Sequence, residues 1–154
     1  MSLIDYINKE SIIIDLKETD KECFLSKMIE KLDSLGLLIN KDEVEHAIMA
    51  REQLMSTGIG NGIAIPHAKT DSVNNIIISI ATIKNVINYK SIDKNKVFVV
   101  FMLVTPKNSS SENLKVLTSI AKIFRDNSNF LEKLINAKKS QEIIELIGKE
   151  EMKI

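Results

Sequence analysis

The chain has 154 residues, a length that suits one domain with its own hydrophobic core. Lys and Arg together number 21, and so do Asp and Glu, so the formal net charge is zero; this excludes a protein that binds nucleic acid mainly through bulk positive charge. Hydrophobic residues make up 44% and charged residues 27%, a globular composition that excludes wholesale disorder.

Cysteine usage and hydropathy indicate the compartment. A single cysteine cannot close an internal disulfide or supply a multi-cysteine zinc site, which fits a reducing compartment. The longest unbroken apolar run, Val97 to Val104, is far shorter than the roughly 20 residues of a membrane-spanning helix. Charged residues crowd the first 20 positions, where a signal peptide needs an apolar block. We expect a cytoplasmic protein without direct membrane insertion.

Hydrophobic periodicity predicts the first elements of the chain. In order they are a short helix or turn, a strand and two long helices: Leu3 to Ile7, Ile12 to Ile14, Phe24 to Leu35 and Asn40 to Leu54. Gly36 follows the first long helix as a stop signal. Asn40, with Glu43 three positions later, is typical of a helix start.

The segment from Thr57 to Pro66 interrupts this helical rhythm. Three of the five glycines of the chain alternate here, and one of its two prolines ends the segment. Glycines this dense indicate tight turns or a close approach of another group to the backbone.

Two central strands and three helices are predicted in the second half. Ile76 to Ile83 and Val97 to Val104 are rich in Ile and Val with little alternation, as in strands covered on both faces. Helices are expected from Ser109, Ser128 and Ser140, and residues 149–154 are expected to fray. We expect the buried face of the first of these helices to consist of Leu114, Leu117, Ala121 and Phe124.

Strands and helices alternate along the chain without a break in composition. We therefore predict an α/β fold in which residues 1–154 form a single domain. Its central sheet, rich in β-branched residues, should have about four or five strands, with helices on both faces.

The two histidines differ in their surroundings. His46 falls off the apolar stripe of its helix, which predicts a half-exposed surface residue. His67 follows Pro66 just past the glycine-rich segment, where backbone amides of glycines such as Gly62 could face an anion held at the ring. An imidazole with one nitrogen anchored can act as a nucleophile or a base through the other. The alternative is a histidine at a strand end with no chemical role.

The residues from Arg51 to His67 read REQLMSTGIGNGIAIPH. This stretch resembles the signature of the enzyme IIA domains of the bacterial phosphoenolpyruvate-dependent sugar phosphotransferase system. It is similar to the fructose and mannitol (type 2) superfamily, and most to its fructose-type branch. The resemblance is strongest from Arg51 to Val73, and the order of elements is compatible with it across nearly the whole chain.

The resemblance implies a phosphocarrier. In that family the histidine at the end of the signature, here His67, accepts a phosphoryl group from the phosphohistidine of the carrier protein HPr. It passes the group to a cysteine of a sugar-specific IIB domain. Arg51 occupies the position of the arginine that neutralises phosphate charge. Thr57 occupies a threonine position whose hydroxyl could lie near the ring, although a cap or turn role is equally open.

One departure from the family pattern concerns Asn113. Many members carry a second histidine at the start of the helix after the last central strand, and Asn113 takes the matching place. An amide can donate to a phosphate oxygen but carries no titrating charge. Its role could also be that of a plain first-turn helix residue.

The predicted chemistry needs neither metal nor cofactor, because phosphoryl transfer depends mainly on positioning and charge neutralisation. We expect Cys23 to be a packed thiol rather than a phosphocysteine. Apolar residues near the site would dock partner proteins and carboxylates would steer them, unless the apolar ones belong to the core: Met55, Ile59 and Ile63, and Glu52 and Asp71.

Three functional hypotheses follow. The first is a sugar-transport phosphocarrier that associates peripherally with a IIC transporter through IIB. The second is a regulatory, nitrogen-type phosphocarrier that controls other proteins by its phosphorylation state. The third, a hydrolase with His67 as general base, ranks last, because no nucleophile or carboxylate partner stands at a recognisable spacing. The transported sugar cannot be read from the sequence.

Overall fold

A mixed β-sheet runs through the middle of the molecule in the computed structural model, which describes residues 2–18, 20–87, 96–125 and 127–153. Within these ranges the sheet has five strands: β1 (Gly58–Gly60), β2 (Ile63–Ala64), β3 (His67–Lys69), β4 (Ile77–Ile87) and β5 (Val97–Thr105). The α/β architecture and the strand number predicted from the sequence are therefore confirmed.

The strand β5 organises the sheet. Strands β2 and β3 follow one another along one edge of β5, both parallel to it, and β4 pairs antiparallel with the other edge. Strand β1 folds back antiparallel onto β2. In this register His67 faces Leu103 and Lys69 faces Thr105, so β3 lies beside the C-terminal end of β5.

Five α-helices surround the sheet within the described part of the chain: α1 (Lys21–Ser34), α2 (Lys41–Leu54), α3 (Ser110–Phe124), α4 (Ser128–Asn136) and α5 (Ser140–Glu151). Two short 3₁₀ helices, Leu3–Tyr6 and Lys9–Ser11, precede them. The Asn40 side chain caps α2 by accepting a hydrogen bond from the Glu43 amide at 3.2 Å. Gly36, with φ of 73°, ends α1 as expected.

Two hydrophobic cores lie on the two faces of the sheet. Side chains alternate along β5, so Val100, Met102 and Val104 pack on the face covered by α1 and α2. Phe101 points to the opposite face, where α3, α4 and α5 pack, and its ring meets that of Phe124 edge to face at 5.3 Å. The predicted helices on both faces are thus confirmed.

The predicted strand Ile12 to Ile14 is mostly wrong. Only Ile13 forms an isolated parallel bridge, to Ala81 of β4. The 3₁₀ helix before it and the positive φ of 54° at Asp15 leave too short an extended stretch for a ladder.

The expected buried face of α3 is confirmed only in part, because Phe124 is buried and Leu117 packs against the core but the other two residues do not. Val116, Ile120 and Ile123 face the core, whereas Leu114 and Ala121 are exposed. Apolar residues lie on two neighbouring stripes of this helix, and packing selects the one with β-branched side chains.

Residues 149–151 are helical where fraying was expected, and Ile154 lies outside the described residues. Helix α5 continues to Glu151, whose carboxylate accepts hydrogen bonds from the Leu3 amide at 2.9 and 3.0 Å and from the Ser2 hydroxyl at 2.8 Å. These bonds clasp the two ends of the described chain. No helix within the described ranges is long and apolar enough to cross a bilayer.

Candidate functional site

The ring of His67 is anchored by its own backbone. Its Nδ1 lies 2.7 Å from the carbonyl oxygen of Ile65, two residues earlier. A carbonyl oxygen can only accept a hydrogen bond, so Nδ1 carries the proton. In the neutral ring the lone pair is therefore on Nε2, which is the nitrogen available for nucleophilic attack.

The surroundings favour the neutral ring. Burial lowers the pKa of His67 below its ordinary 6.5, because a charged imidazolium loses solvation in a half-buried position. The hydrogen bond to Ile65 opposes this and raises the pKa. The charges of Arg51 and Lys69 lower it, and the charge of Glu52 raises it. The net effect leaves His67 unprotonated, and hence nucleophilic, near neutral pH.

Backbone hydrogen bonds hold the segment just before the ring on both sides. The amide of Ile65 donates to the carbonyl of Thr57 at 2.9 Å. The carbonyl of Pro66 accepts from the amide of Leu103 on β5 at 2.9 Å. Pro66 itself has a restricted φ, so the direction in which the His67 side chain leaves the sheet is tightly set.

Arg51 lies in the last turn of α2, half-buried, and its charge acts on His67. Its Nη1 donates to the carbonyl oxygen of Met55 at 2.8 Å. That bond holds the guanidinium at the end of the helix, on the same side of the molecule as the ring. Arg51 and His67 are thus close enough for the charge of Arg51 to act on the ring.

The backbone carbonyl of Thr57, and not its hydroxyl, is connected to the segment that holds the ring. The residue is buried, and its hydroxyl donates to a carboxylate oxygen of Glu52. Its amide also points to that carboxylate, at 3.3 Å. A threonine has a single hydroxyl hydrogen. The turn-type role, and not direct support of an anion, is therefore the one the geometry favours.

The buried carboxylate of Glu52 was not expected from the sequence, which suggested an exposed steering group. Its side chain is only 5% exposed, and Oε2 lies 2.7 Å from Nζ of Lys21 at the start of α1. A usable signal was present: Val44, Ile48 and Glu52 are spaced by four residues and share the inward face of α2.

Asn113 lies at the same end of the sheet as His67. It is buried in the first turn of α3, where its Oδ1 accepts from the Thr105 hydroxyl at 2.9 Å. Thr105 faces Lys69 across the β3–β5 pair, two residues beyond the partner of His67. Lys69 also reaches α3, with Nζ 3.1 Å from Oγ of Ser110. The exposed Lys69 is a cation of the site that the sequence analysis missed.

The prediction that Gly62 supports a bound anion is wrong in this fold. Gly62 is in the turn before β2, and its carbonyl accepts from the Phe98 amide at 2.8 Å. Phe98 and Leu103, the partner of His67, are five residues apart on β5, which separates them by about 16 Å. The φ of 84° and the nearness of Leu131, 3.0 Å from where a Cβ would stand, explain the glycine instead.

An exposed apolar patch borders the site. Met55 is 61% exposed and Ile59 is 46% exposed, as expected for docking residues, and the neighbouring Leu54 is also exposed. Ile63 is buried, so for this residue the alternative of a core position holds. Asp71 is exposed, with Oδ2 3.6 Å from Nζ of Lys107. The patch and these charges are accessible to a partner.

Cys23 is not the packed thiol that the sequence suggested. It lies exposed in the first turn of α1, because it falls between the inward-facing positions of the helix. A hydrogen bond to Asp20, a slight loss of solvation and the neighbouring carboxylates raise the pKa of its thiol, which disfavours the reactive thiolate. His46 is exposed on α2. Among the described residues no cluster of three or more His, Cys, Asp or Glu side chains could hold a metal ion.

Comparison with known proteins identifies the family to which the chain belongs. Residues 5–150 match the family model described as phosphoenolpyruvate-dependent sugar phosphotransferase system, EIIA 2. A fructose-specific EIIABC component of this system from Bacillus subtilis is 31% identical over 96% of the chain, which spans only 23% of that longer protein. A nitrogen regulatory protein from Bradyrhizobium diazoefficiens is 30% identical over 96% of the chain and 95% of its own length.

Solved structures share the fold. The nitrogen regulatory protein IIA-Ntr from Neisseria meningitidis superposes with a TM-score of 0.87 at 23% identity, covering 94% of this chain and 98% of that one. The mannitol enzyme IIA of Escherichia coli, in its complex with phosphorylated enzyme IIB, has a TM-score of 0.77 at 22% identity, covering 92% and 96% of the two chains.

Proposed function

We propose that this chain, which belongs to the EIIA 2 family of the phosphoenolpyruvate-dependent sugar phosphotransferase system, carries a phosphoryl group on Nε2 of His67. The family assignment made from the residues Arg51 to His67 is confirmed by the family match. The observation that supports the site most strongly is the bond from Nδ1 of His67 to the Ile65 carbonyl, because it commits the lone pair to Nε2.

The proposed transfer needs no water and no cofactor. The Nε2 lone pair of neutral His67 attacks phosphorus of a phosphohistidine on the donor protein, the donor's N–P bond breaks, and its electron pair returns to the donor's ring. A cysteine thiolate of the acceptor then attacks the same phosphorus, and the N–P bond to His67 breaks in turn. The Nδ1 proton stays on His67 throughout, held by Ile65.

Charge neutralisation falls to Arg51. Its guanidinium is the group best suited to contact phosphoryl oxygens, because its planar fork matches them in a way that an ammonium cannot. Asn113 and Lys69 lie at the same end of the sheet and are proposed to assist from the side of α3. Thr57 acts on the position of the ring through the backbone hydrogen bond between its carbonyl and the Ile65 amide.

The partners proposed are HPr as donor and a IIB domain as acceptor. A complex of the mannitol enzyme IIA, which has this fold, with phosphorylated enzyme IIB supports the second. The exposed patch formed by Leu54, Met55 and Ile59 would receive both in turn. We further propose that residues 1–154 work as one IIA domain in the cytoplasm, reaching a IIC transporter only through IIB.

Labelling tests the chemistry. The protein is incubated with phosphoenolpyruvate, enzyme I and HPr, and acid-labile phosphate is mapped. We expect label on the wild type and none on His67→Ala, with Arg51→Lys labelled more slowly. Equal labelling of the wild type and His67→Ala would refute the site.

A regulatory role is a second candidate, because a nitrogen regulatory protein matches the chain over nearly the full length of both. The chemistry at His67 would be the same, and the output would be binding to other proteins. Transfer from the phosphorylated protein to isolated IIB domains of the fructose and mannitol types separates the two. Rapid transfer to one of them supports transport, and a phospho-form that none of them discharges supports regulation.

A further inference from the structure

The carboxylate of Glu52 has no part in the proposed transfer, yet it is buried near the site and is held by an ion pair and by hydrogen bonds. It lies where the last turn of α2, the start of α1 and the approach to β1 meet. Lys21 is 2.7 Å away, and both the hydroxyl and the amide of Thr57 point to it. Burying a charge is costly unless it is paired and hydrogen-bonded, so this arrangement ties the three segments into one geometry.

The connection continues from Thr57 to the ring through two backbone groups of one residue. The amide of Ile65 donates to the Thr57 carbonyl at 2.9 Å, and the Ile65 carbonyl accepts the Nδ1 proton of His67 at 2.7 Å. The two peptide groups that flank Ile65 therefore connect Thr57, and through it the buried carboxylate of Glu52, to the imidazole. Pro66, between them, has little rotational freedom in φ and adds little slack.

We propose that Lys21, Glu52 and Thr57 are positioning residues that keep His67 in its Nδ1–H tautomer with Nε2 directed outward. They act through Ile65 and do not themselves touch the transferred group. The inference deepens the proposed function and rests on it for the effect on transfer. The tautomer, however, is a property of the unphosphorylated protein and is measured without any partner.

Nitrogen-15 NMR of the unphosphorylated protein tests the inference directly, because protonated and unprotonated ring nitrogens resonate far apart. The chain has only two histidines, so the exposed His46 serves as an internal reference. We expect a single Nδ1–H tautomer for His67 in the wild type and a mixture in Thr57→Val and Glu52→Gln. Thr57→Ser, which keeps the hydroxyl, should restore the wild-type signals.

The matched control is Glu18→Gln. It removes another ion pair of α1, between Glu18 and Lys27 at 2.8 Å, that has no connection to Ile65. This variant should keep the wild-type tautomer of His67. Thermal unfolding of each variant ensures that the comparison is made on folded protein, because Thr57→Val keeps the shape of the side chain but removes a hydroxyl that donates to a buried carboxylate.

Transfer kinetics provide the second readout. Misplacing a reacting group through its supporting residues typically costs about 10- to 100-fold in rate. We expect kcat for transfer from phospho-HPr to fall by that factor in Thr57→Val and Glu52→Gln, with an unchanged KM because the docking patch is intact. A wild-type tautomer of His67 in both variants would overturn the inference. A mixed tautomer in a protein that is never phosphorylated on His67 would support the positioning role and refute only the proposed function.

Discussion

The carbonyl oxygen of Ile65 lies 2.7 Å from Nδ1 of His67, so the ring nitrogen that faces the chain's own backbone is the one that carries the proton. Which nitrogen reacts cannot be read from the sequence, because the anchoring group is a main-chain carbonyl that every residue possesses. Folding the segment after β2 supplies that anchor and thereby leaves the lone pair of the neutral ring on Nε2.

Arg51 is expected to act on the transferred group and not on the fold. Arg51→Lys keeps the charge but loses the planar fork, and one charge-assisted hydrogen bond is worth about 1.5–3 kcal/mol, or roughly 10- to 100-fold in rate. Stopped-flow transfer from phospho-HPr measures the loss. Arg125→Lys, which changes the only other arginine, is the control. Unchanged transfer in Arg51→Lys would remove Arg51 from the mechanism.

Stability should depend on pH through His67. Its folded-state pKa is lowered by burial, whereas the unfolded chain regains the ordinary 6.5. Below about pH 6.5 the unfolded state therefore binds a proton that the folded state resists, and the free energy of unfolding falls as the pH drops through the unfolded and then the folded pKa. Denaturant unfolding between about pH 7.5 and about pH 5 should cost the wild type more stability than His67→Gln. An identical loss in both proteins would contradict the lowered pKa.

Met55 is expected to contribute to docking. It is 61% exposed beside the site, so Met55→Glu should leave the free energy of unfolding within about 0.5 kcal/mol of the wild type. The same change should raise KM for phospho-HPr severalfold, because a charge replaces an apolar contact at the interface. Met152→Glu, at an 88% exposed methionine in the C-terminal turn, is the matched control. Equal KM values for the two variants would exclude Met55 from the interface.

Gly62 distinguishes a structural glycine from an anion-binding one. A Cβ there would stand 3.0 Å from Leu131 and 3.2 Å from Phe98, at a φ of 84°. Gly36→Ala suffers the backbone strain alone, with open space around it, and should cost about 1–2 kcal/mol. Gly62→Ala should cost at least about 1 kcal/mol more, because the added methyl overpacks the site. Folded Gly62→Ala protein should still accept the phosphoryl group at the wild-type rate. A loss of transfer without a loss of folding would show that Gly62 does support the phosphoryl group.

Much of the fold follows from local patterns in the sequence. The helices α1 and α2 show clear periodicity with recognisable starts and stops, and the apolar runs of β4 and β5 are long enough to identify as central strands. The three short strands could not be predicted in this way. Two or three residues in a glycine-rich segment carry no periodicity. Strands β2 and β3 form because β5 offers them an edge, and β1 forms by pairing with β2.

The residues of the candidate site also fall into those that a local sequence pattern identifies and those that only the fold reveals. His67 and Arg51 are identified by a linear signature, since both belong to one continuous stretch. The spacing of Glu52 with Val44 and Ile48 indicates its burial, but its ion pair with Lys21, more than 30 positions earlier, is encoded in no local pattern. Leu114 shows the same limit, because a helix with two apolar stripes does not reveal which one the sheet will cover.

Phosphorus NMR of the nitrogen-15-labelled protein, phosphorylated by phosphoenolpyruvate, enzyme I and HPr, tests the central claim most directly. We expect one phosphohistidine signal, coupled to Nε2 of His67, in the wild type and in His46→Gln, and no signal in His67→Gln. A phosphohistidine that persists in His67→Gln, or a coupling to Nδ1 in the wild type, would contradict a carrier site built on the bond between His67 and Ile65.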